Sequence, residues 1–275
     1  MKPISTAFIS SLFLLLACCT GCKKTNTITN NDIAFDSIQI HEVYHLFNDT
    51  AKPSCDLQIN FIYPVKFGDE KALNNLQALF VSKYFGDNFI GKTPAEAARS
   101  YTEEYLKSYK EVEEEYNENE EISQTFSYYE NSFNSIHFNK GGILACMVFF
   151  ENYMGGAHGS HQLYGYSIDL NTGKLISDKD IFYENCMDKV ADIIVNKLME
   201  QNNLTDRKEL EDSGYTDIEK IVPNDNFLID EQGITYIYNE YEIAPYFIGK
   251  TKIFLPYNEI SLFIKPESAV KTLIQ

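Results

Sequence analysis

Residues 123–176 read SQTFSYYENSFNSIHFNKGGILACMVFFENYMGGAHGSHQLYGYSIDLNTGKLI, a segment with two turn signals. The sequence Asn-Lys-Gly-Gly at 139–142 predicts a turn between a strand at 127–138 and a strand at 143–152. A second turn signal, Asn-Thr-Gly at 171–173, predicts another hairpin. The segment therefore predicts consecutive antiparallel strands.

The sequence before this segment predicts two strands and two helices. Residues 33–47 are rich in Ile, Val, Tyr and Phe, and residues 55–65 alternate between apolar and polar side chains, as half-buried strands do. A helix is predicted from Asp69 to about Phe85, because apolar residues recur there at helical spacing. Thr93-Pro94-Ala95-Glu96 matches a capping box with proline at the first helical position, so it starts the next helix.

The sequence after residue 176 predicts further helix and strand. Apolar residues at helical spacing indicate a helix from roughly Asp180 to Gln201. A hairpin at 227–238 and a last strand at 252–256 follow. Helices and strands are segregated along the chain, so we expect an α+β fold of mixed helices and antiparallel β-hairpins in two adjoining subdomains.

The N-terminus predicts export and lipid attachment. Lys2 precedes an apolar run that is too short to span a membrane, which is typical of a signal peptide over residues 1–17. The run ends in Leu15-Leu16-Ala17-Cys18, which resembles a lipobox, so Cys18 is the predicted lipidation site and Cys22 the alternative. An ordinary signal peptide with incidental cysteines is the other interpretation. Lipid would anchor the chain without a spanning helix.

The charge of the chain limits its partners. The net charge is −17, and removal of residues 1–17 takes away one positive charge and no acid. Nucleic acid and anionic lipid surfaces are poor partners for so acidic a body, whereas a cationic partner would be attracted to it. The alternative role of this charge is solubility. An apolar content of 44% excludes a disordered chain.

Three cysteines lie beyond the lipidation cluster, namely Cys55, Cys146 and Cys186. An odd number allows at most one internal disulfide, and the sequence does not decide whether one forms. Cys55 and Cys146 have apolar neighbours, so we expect buried thiols in the core.

His41-Glu42-Val43-Tyr44-His45 matches the H-E-x-x-H pattern of zinc proteases, which requires a helix. The β-branched and aromatic neighbours favour a strand, on which residues four apart are separated by about 13 Å. Two zinc–nitrogen bonds of about 2 Å each cannot bridge that gap. We therefore expect no zinc here, no other metal site and no cofactor.

A glycine-rich segment at 153–161, YMGGAHGSH, is the first candidate site. Its glycines allow positive φ angles and a close approach to another surface. His158 and His161 are too few ligands for a metal. A shaped turn without function is the alternative interpretation. The candidate ligand-binding residues are Gly155, Gly156, His158 and Gly159.

A tyrosine-rich segment at 238–249, YNEYEIAPYFIG, is the second candidate site. Rigid aromatic side chains bury surface at low entropic cost, so the segment could form a recognition surface. It could equally seal the end of a sheet as a small core. The candidate ligand-binding residues are Tyr238, Tyr241, Glu242 and Tyr246.

These two segments carry a family resemblance. The sequence Gly-Gly-Ala-His-Gly, followed by the hairpin Asp169-Leu170-Asn171-Thr172-Gly173-Lys174, resembles the extracellular part of lysozyme-sensing anti-sigma factors. So does the tyrosine-rich segment with Leu255-Pro256-Tyr257 after it. In that family a PdaC-type domain, named after a peptidoglycan deacetylase, precedes an RsiV-like domain of unknown function 3298. The strand ending Phe61-Ile62-Tyr63-Pro64 resembles the start of the PdaC-type domain.

The resemblance predicts how the chain is divided. The division comprises a lipoprotein signal peptide at 1–17, a lipidated tether at 18–32, a PdaC-type α+β domain at 33–175 and an RsiV-like α+β domain at 176–275. The chain departs from the sensors because we find neither a sigma-binding segment nor a transmembrane helix. It also lacks the Asp-Asp pair of the deacetylase domain, so the deacetylase name does not predict an activity.

The expected function is that of an exported lipoprotein, anchored to a bacterial membrane with its ectodomain outside the cytoplasm. The ectodomain would bind a protein or cell-wall ligand without catalysis. The resemblance implies a cationic lysozyme-like hydrolase as the ligand, and cell-wall glycan is a further candidate. Two alternatives are an enzyme acting on cell-wall glycan, with His158 as the group to test, and a purely structural envelope protein.

Overall fold

The computed structural model describes residues 28–116 and 123–274. The predicted signal peptide, both candidate lipidation cysteines (Cys18 and Cys22) and most of the predicted tether lie outside the described residues. Within the described ranges, no helix is both long enough and apolar enough to cross a membrane.

Six strands form the larger sheet: β1 (Ala34–His45), β2 (Ser54–Lys66), β3 (Tyr128–Lys140), β4 (Ile143–Tyr153), β5 (Ser160–Asp169) and β6 (Lys174–Leu175). Their order in the sheet is the same as their order in the chain. All neighbours are antiparallel except β2 and β3, which run parallel. The predicted hairpins and strands of this half of the chain are confirmed.

Two helices, α1 (Glu70–Phe85) and α2 (Pro94–Glu111), lie between β2 and β3. Parallel neighbours need a long crossover, and these helices form much of it. The Asp69 carboxylate caps α1 by accepting a hydrogen bond from the Ala72 N–H at 2.8 Å. The predicted capping box starts α2, since the Thr93 N–H donates to Glu96 Oε2 at 2.9 Å and the Thr93 side chain caps in return.

The C-terminal region adds a small antiparallel sheet and four short or medium helices. They are α3 (Asp178–Ile181), α4 (Met187–Gln201), α5 (Arg207–Asp212) and α6 (Tyr257–Ile260), with strands β7 (Phe227–Ile229), β8 (Gly233–Tyr238) and β9 (Thr251–Pro256). The order of the small sheet is β7-β8-β9.

One predicted helix needs correction. The sequence predicts a continuous helix from about Asp180 to Gln201, but the chain is extended at Phe182, and the long helix begins only at Met187. The Phe182 backbone forms an antiparallel bridge with Ile264, and its side chain is fully buried. A tertiary contact therefore interrupts the helical pattern.

Both faces of the six-stranded sheet are covered. On β4, Leu144, Cys146 and Val148 pack toward α1 and α2, whereas Ile143 and Ala145 pack into the core formed with the C-terminal region. This is the alternation expected of a strand buried on both sides. The six-stranded sheet thus contributes to two hydrophobic cores. The domain boundary between residues 175 and 176 stays a prediction.

The H-E-x-x-H residues lie on β1, which confirms the predicted strand. His41 Nε2 lies 3.2 Å from Asp56 Oδ1, and His45 Nδ1 lies 3.0 Å from the Lys52 carbonyl oxygen. In residues 28–116 and 123–274, no three His, Cys, Asp or Glu side chains are grouped so as to hold a metal ion. Cys55 and Cys146 are fully buried, as expected, and both are free thiols, as is the partly exposed Cys186.

Candidate functional site

The structure brings the two candidate segments together. We name them the Gly-His loop (residues 153–161), at the turn from β4 to β5, and the Tyr-rich loop (residues 238–249), which connects β8 to β9. His158 and Tyr241 are 83 residues apart in the sequence, yet the Tyr241 hydroxyl lies 3.1 Å from His158 Nε2. One site therefore contains residues from both loops.

The Gly-His loop has a backbone that only glycine adopts without strain. Gly155 and Gly156 have φ angles of 85° and 105°. A Cβ atom at Gly159 would lie 2.9 Å from the carbonyl oxygen of Asn152, so no side chain fits there. The Tyr153 hydroxyl donates a hydrogen bond to the Gly156 carbonyl oxygen at 2.8 Å and closes the loop. The glycines thus shape the loop that presents His158.

A buried asparagine fixes the Tyr-rich loop to β5. The Asn239 side chain accepts a hydrogen bond from the Leu163 N–H at 2.7 Å and donates to the Leu163 carbonyl oxygen at 3.2 Å. It is 5% exposed, and its amide satisfies backbone groups at the free edge of the strand. Tyr241 then turns with a φ of 67°, and its N–H donates to the Ala244 carbonyl oxygen. This turn directs the Tyr-rich loop toward the Gly-His loop.

Three rings stack where the loops meet. The His158 and Tyr246 ring centroids are 4.3 Å apart, with 25° between the ring planes. The Tyr241 ring lies 6.2 Å from His158 and 6.1 Å from Tyr246. His158 Nδ1 is 2.8 Å from the Gly159 carbonyl oxygen, which can only accept, so Nδ1 carries the proton. The other ring nitrogen, Nε2, faces the Tyr241 hydroxyl.

His161 lies beside this stack between two carboxylates. Its Nε2 is 3.4 Å from Glu151 Oε1, and its Nδ1 is 3.5 Å from Glu240 Oε1 and 3.4 Å from the Tyr246 hydroxyl. Glu151, Glu240 and Asn239 were not among the residues predicted from the sequence. The position of Asn239 directly after a strand is the one local signal for its role. No local sequence pattern indicates that Glu151 and Glu240 pair with His161.

The two loops also expose large apolar side chains. The exposed fractions are 58% for Met154, 63% for Tyr241 and 80% for Phe247. Isolated exposed apolar residues are normal, but several on two adjoining loops are typical of an interaction surface. We name the surface of His158, Tyr241 and Tyr246 the aromatic face.

Two predicted site residues lie outside the aromatic face. Tyr238 is 3% exposed, and its hydroxyl donates to the Val222 carbonyl oxygen at 2.8 Å, so it is part of the core and unavailable to a ligand. Glu242 lines a separate cleft, where its carboxylate lies 3.4 Å from the amides of Asn224 and Asn239. The other predicted site residues lie where the two loops meet. They are the glycines of the Gly-His loop, His158, Tyr241 and Tyr246.

Comparison with known proteins finds two family models that match the chain. A model described as "Deacetylase PdaC" matches residues 51–161, and one described as "Protein of unknown function (DUF3298)" matches residues 179–258. A solved structure of a DUF3298 family member from Bacteroides fragilis is 35% identical, has a TM-score of 0.84, and is matched over 90% of this chain and 99% of that chain. This chain therefore belongs to the DUF3298 family. The predicted resemblance and the α+β fold class are confirmed.

A DUF3298 family protein from Pseudomonas aeruginosa PAO1 is more distant. It is 12% identical with a TM-score of 0.63, and the match covers 89% of this chain and 97% of that chain, which shows the shared fold. No curated protein matches the chain. The two domain types indicate an envelope-associated protein. The Gly-His loop lies within the PdaC match and the Tyr-rich loop within the DUF3298 match, so the site combines one loop from each.

Proposed function

We propose that this protein is an envelope lipoprotein whose aromatic face binds a protein ligand without catalysis. The observation that carries the proposal is the stack of His158, Tyr241 and Tyr246, built from two loops of different domain type. Exposed aromatic side chains supply most of the binding energy in many protein interfaces. A buried asparagine and positive-φ glycines hold the loops in place, so little further ordering is needed on binding.

The charge of the protein favours a cationic ligand. The net charge of the chain is −17, and Glu151 and Glu240 lie beside the stack. Such a field speeds the encounter with a basic protein and sets its orientation. A lysozyme-like hydrolase is the proposed ligand, since lysozymes are basic and the family resemblance implies one.

The surroundings of His158 support binding without catalysis. The His158 ring stacks on Tyr246, and its two nitrogens contact the Gly159 carbonyl oxygen and the hydroxyl of Tyr241, another ring of the stack. These contacts make the imidazole part of a packed aromatic surface, which is the role that a binding residue needs. Assays of the His158→Ala variant for glycan turnover and for lysozyme binding distinguish the two roles. We expect the wild-type chain to show no glycan turnover and the His158→Ala variant to lose lysozyme binding.

The binding test is a titration of the purified full chain with lysozyme at several salt concentrations. We expect a Kd of about 1 μM or below at moderate salt. Salt should reduce the association rate more than it raises the dissociation rate, because charge mainly steers the encounter. Binding that is absent at low salt, or that disappears entirely at moderate salt, contradicts a specific interface.

The membrane anchor is tested separately. We propose lipidation at Cys18, which leaves the ectodomain at the membrane surface outside the cytoplasm. Mass spectrometry of the mature N-terminal peptide should show an acylated Cys18. Acylation of Cys22 would move the site, and an unmodified soluble product would reject the lipoprotein class.

A further inference from the structure

A cleft of about 1010 Å³ lies beside the aromatic face and is distinct from it. The six-stranded sheet forms its floor, the C-terminal end of α1 with part of α2 forms one wall, and residues 224–226 with Glu242 form the other. The residues that line the cleft include Glu130, Phe150, Asn152, Gln162, Tyr164 and Asn224.

The floor of the cleft carries an uncovered aromatic ring. Tyr164 and Tyr166 lie on the same face of β5, because residues two apart on a strand share a face. Tyr166 is 6% exposed and packs against Phe80 of α1 at 6.0 Å, whereas Tyr164 is 40% exposed. The helical layer therefore ends between these two residues. The Tyr164 ring lies 6.4 Å from that of Phe150, with 68° between the ring planes, so two aromatic side chains meet edge to face on the floor.

Groups that both donate and accept hydrogen bonds surround this floor. Asn152, Gln162, Asn224, Ser160 and Ser177 line the cleft. The Ser177 hydroxyl donates to Asp180, and the Asn224 side chain accepts from the Asn226 N–H, so Asn152, Gln162 and Ser160 supply the polar groups for a ligand. Asn224 is held in place by a hydrogen bond of 2.9 Å from its side chain to the Ile237 carbonyl oxygen. The Gln162 side chain accepts a hydrogen bond from the Tyr164 hydroxyl. The polar rim is therefore attached to the framework on both sides.

A buried carboxylate completes the cleft. Glu130 is 5% exposed, and both of its oxygens accept from the Tyr101 hydroxyl, at 2.8 and 2.9 Å. Among the described residues, no Lys, Arg or His forms an ion pair with it. Asp87, Glu130, Asp225 and Glu242 make the lining acidic, with Lys83 as its cation. A phosphate or carboxylate ligand would be repelled.

We infer that this cleft binds a short neutral saccharide. The C–H groups on one side of a pyranose ring carry slight positive charge, so they match the negative face of an aromatic ring. Sugar hydroxyls donate and accept at once, as the amides of the rim do. A purely apolar ligand would cover the Asn152 and Gln162 amides without offering them hydrogen bonds, which is costly in a closed contact. The inference does not depend on the proposed protein ligand, since it concerns a different surface.

The test is calorimetric titration of the full chain with two probes, cellotetraose and chitotetraose. We expect at least one to bind, and Tyr164→Ala to weaken that binding by about tenfold or more, which corresponds to about 1.4 kcal/mol. Tyr164→Phe should retain most of the affinity, because it keeps the ring. Tyr183→Ala is the matched control, as Tyr183 is also 40% exposed and does not line the cleft.

One set of binding results supports the inference, and two other results overturn it. Loss of saccharide binding in a folded Tyr164→Ala variant, with normal binding by Tyr183→Ala and Tyr241→Ala, supports the cleft. Absence of binding by both probes overturns the inference, and so does equal binding by the Tyr164→Ala and wild-type chains. Lysozyme binding measured on the same Tyr164→Ala variant separates this result from the proposed function, because the aromatic face is unchanged in it.

Discussion

The protein contains two tyrosine clusters that are built in opposite ways. At the end of α2, Tyr109 lies 5.2 Å from Tyr128 and 6.3 Å from Tyr44, and its hydroxyl donates to the Phe126 carbonyl oxygen at 2.7 Å. Tyr109 is 2% exposed, whereas Tyr241 of the aromatic face is 63% exposed. The two clusters have similar composition, yet one is core and the other is surface.

The two clusters adjoin each other. A Cβ atom on Gly155 of the Gly-His loop would lie 3.4 Å from the Tyr128 hydroxyl. The Gly-His loop therefore packs beside the buried cluster, while the rings of the aromatic face lie at the surface. Tyrosine content alone does not distinguish the two clusters, whereas the exposure of their rings does. Substitutions in the two clusters should accordingly separate stability from binding.

The largest expected effect is that of Tyr109→Ala. Removal of this buried ring leaves a cavity, so we expect a loss of about 3–5 kcal/mol in the free energy of unfolding. Tyr109→Phe removes only the hydrogen bond to Phe126 and should cost about 1 kcal/mol. Urea denaturation measures both. A loss below about 1 kcal/mol in Tyr109→Ala would contradict the assignment of this cluster to the core.

The next prediction concerns a buried carboxyl group in the core. It should make the free energy of unfolding depend on pH. Burial raises the pKa of Asp178 to about 7, from an ordinary value of 3.8, while its carboxylate accepts from the Tyr236 hydroxyl and the Asp225 N–H. The folded state keeps the Asp178 proton at a pH where the unfolded state has lost it. The stabilising contribution is full below about pH 4 and is lost as the pH rises to about 7.

The measurement is urea denaturation at several pH values. We expect this group to lower stability by on the order of 1 kcal/mol per pH unit across that range. Asp178→Asn cannot titrate, so it should flatten the profile even though it loses the contact with the Asp225 N–H. An unchanged slope in the variant would assign the pH dependence to other groups.

A smaller effect is expected at the glycines that shape the aromatic face. Gly156 has a φ of 105° with no atom within 4 Å of an added Cβ, so Gly156→Ala should cost about 1 kcal/mol through backbone strain alone. Gly91, with a φ of 93° and equally open space, is the matched control. Both alanine variants should lose similar stability in thermal melts. Only Gly156→Ala should weaken lysozyme binding, and equal binding by the two variants would contradict a role for the loop shape.

The sequence predicted most of the fold because its signals are local. Alternation identified β2, and the capping box at Thr93 identified the start of α2. The break at Phe182 was not predictable, since it depends on a bridge to Ile264 far along the chain. The candidate loops were selected from their composition. Their meeting depends on the amide of Asn239 pairing with Leu163, a contact between residues 76 apart that no local pattern specifies.

The measurement that tests the central claim most directly is the lysozyme affinity of the Tyr241→Ala and Tyr246→Ala variants, with a thermal melt of each. We predict that each variant melts near the wild-type temperature and loses at least about 1–2 kcal/mol of binding energy, roughly a 5- to 30-fold rise in Kd. Unchanged affinity in both folded variants would contradict the claim and leave only a general attraction between an acidic and a basic protein.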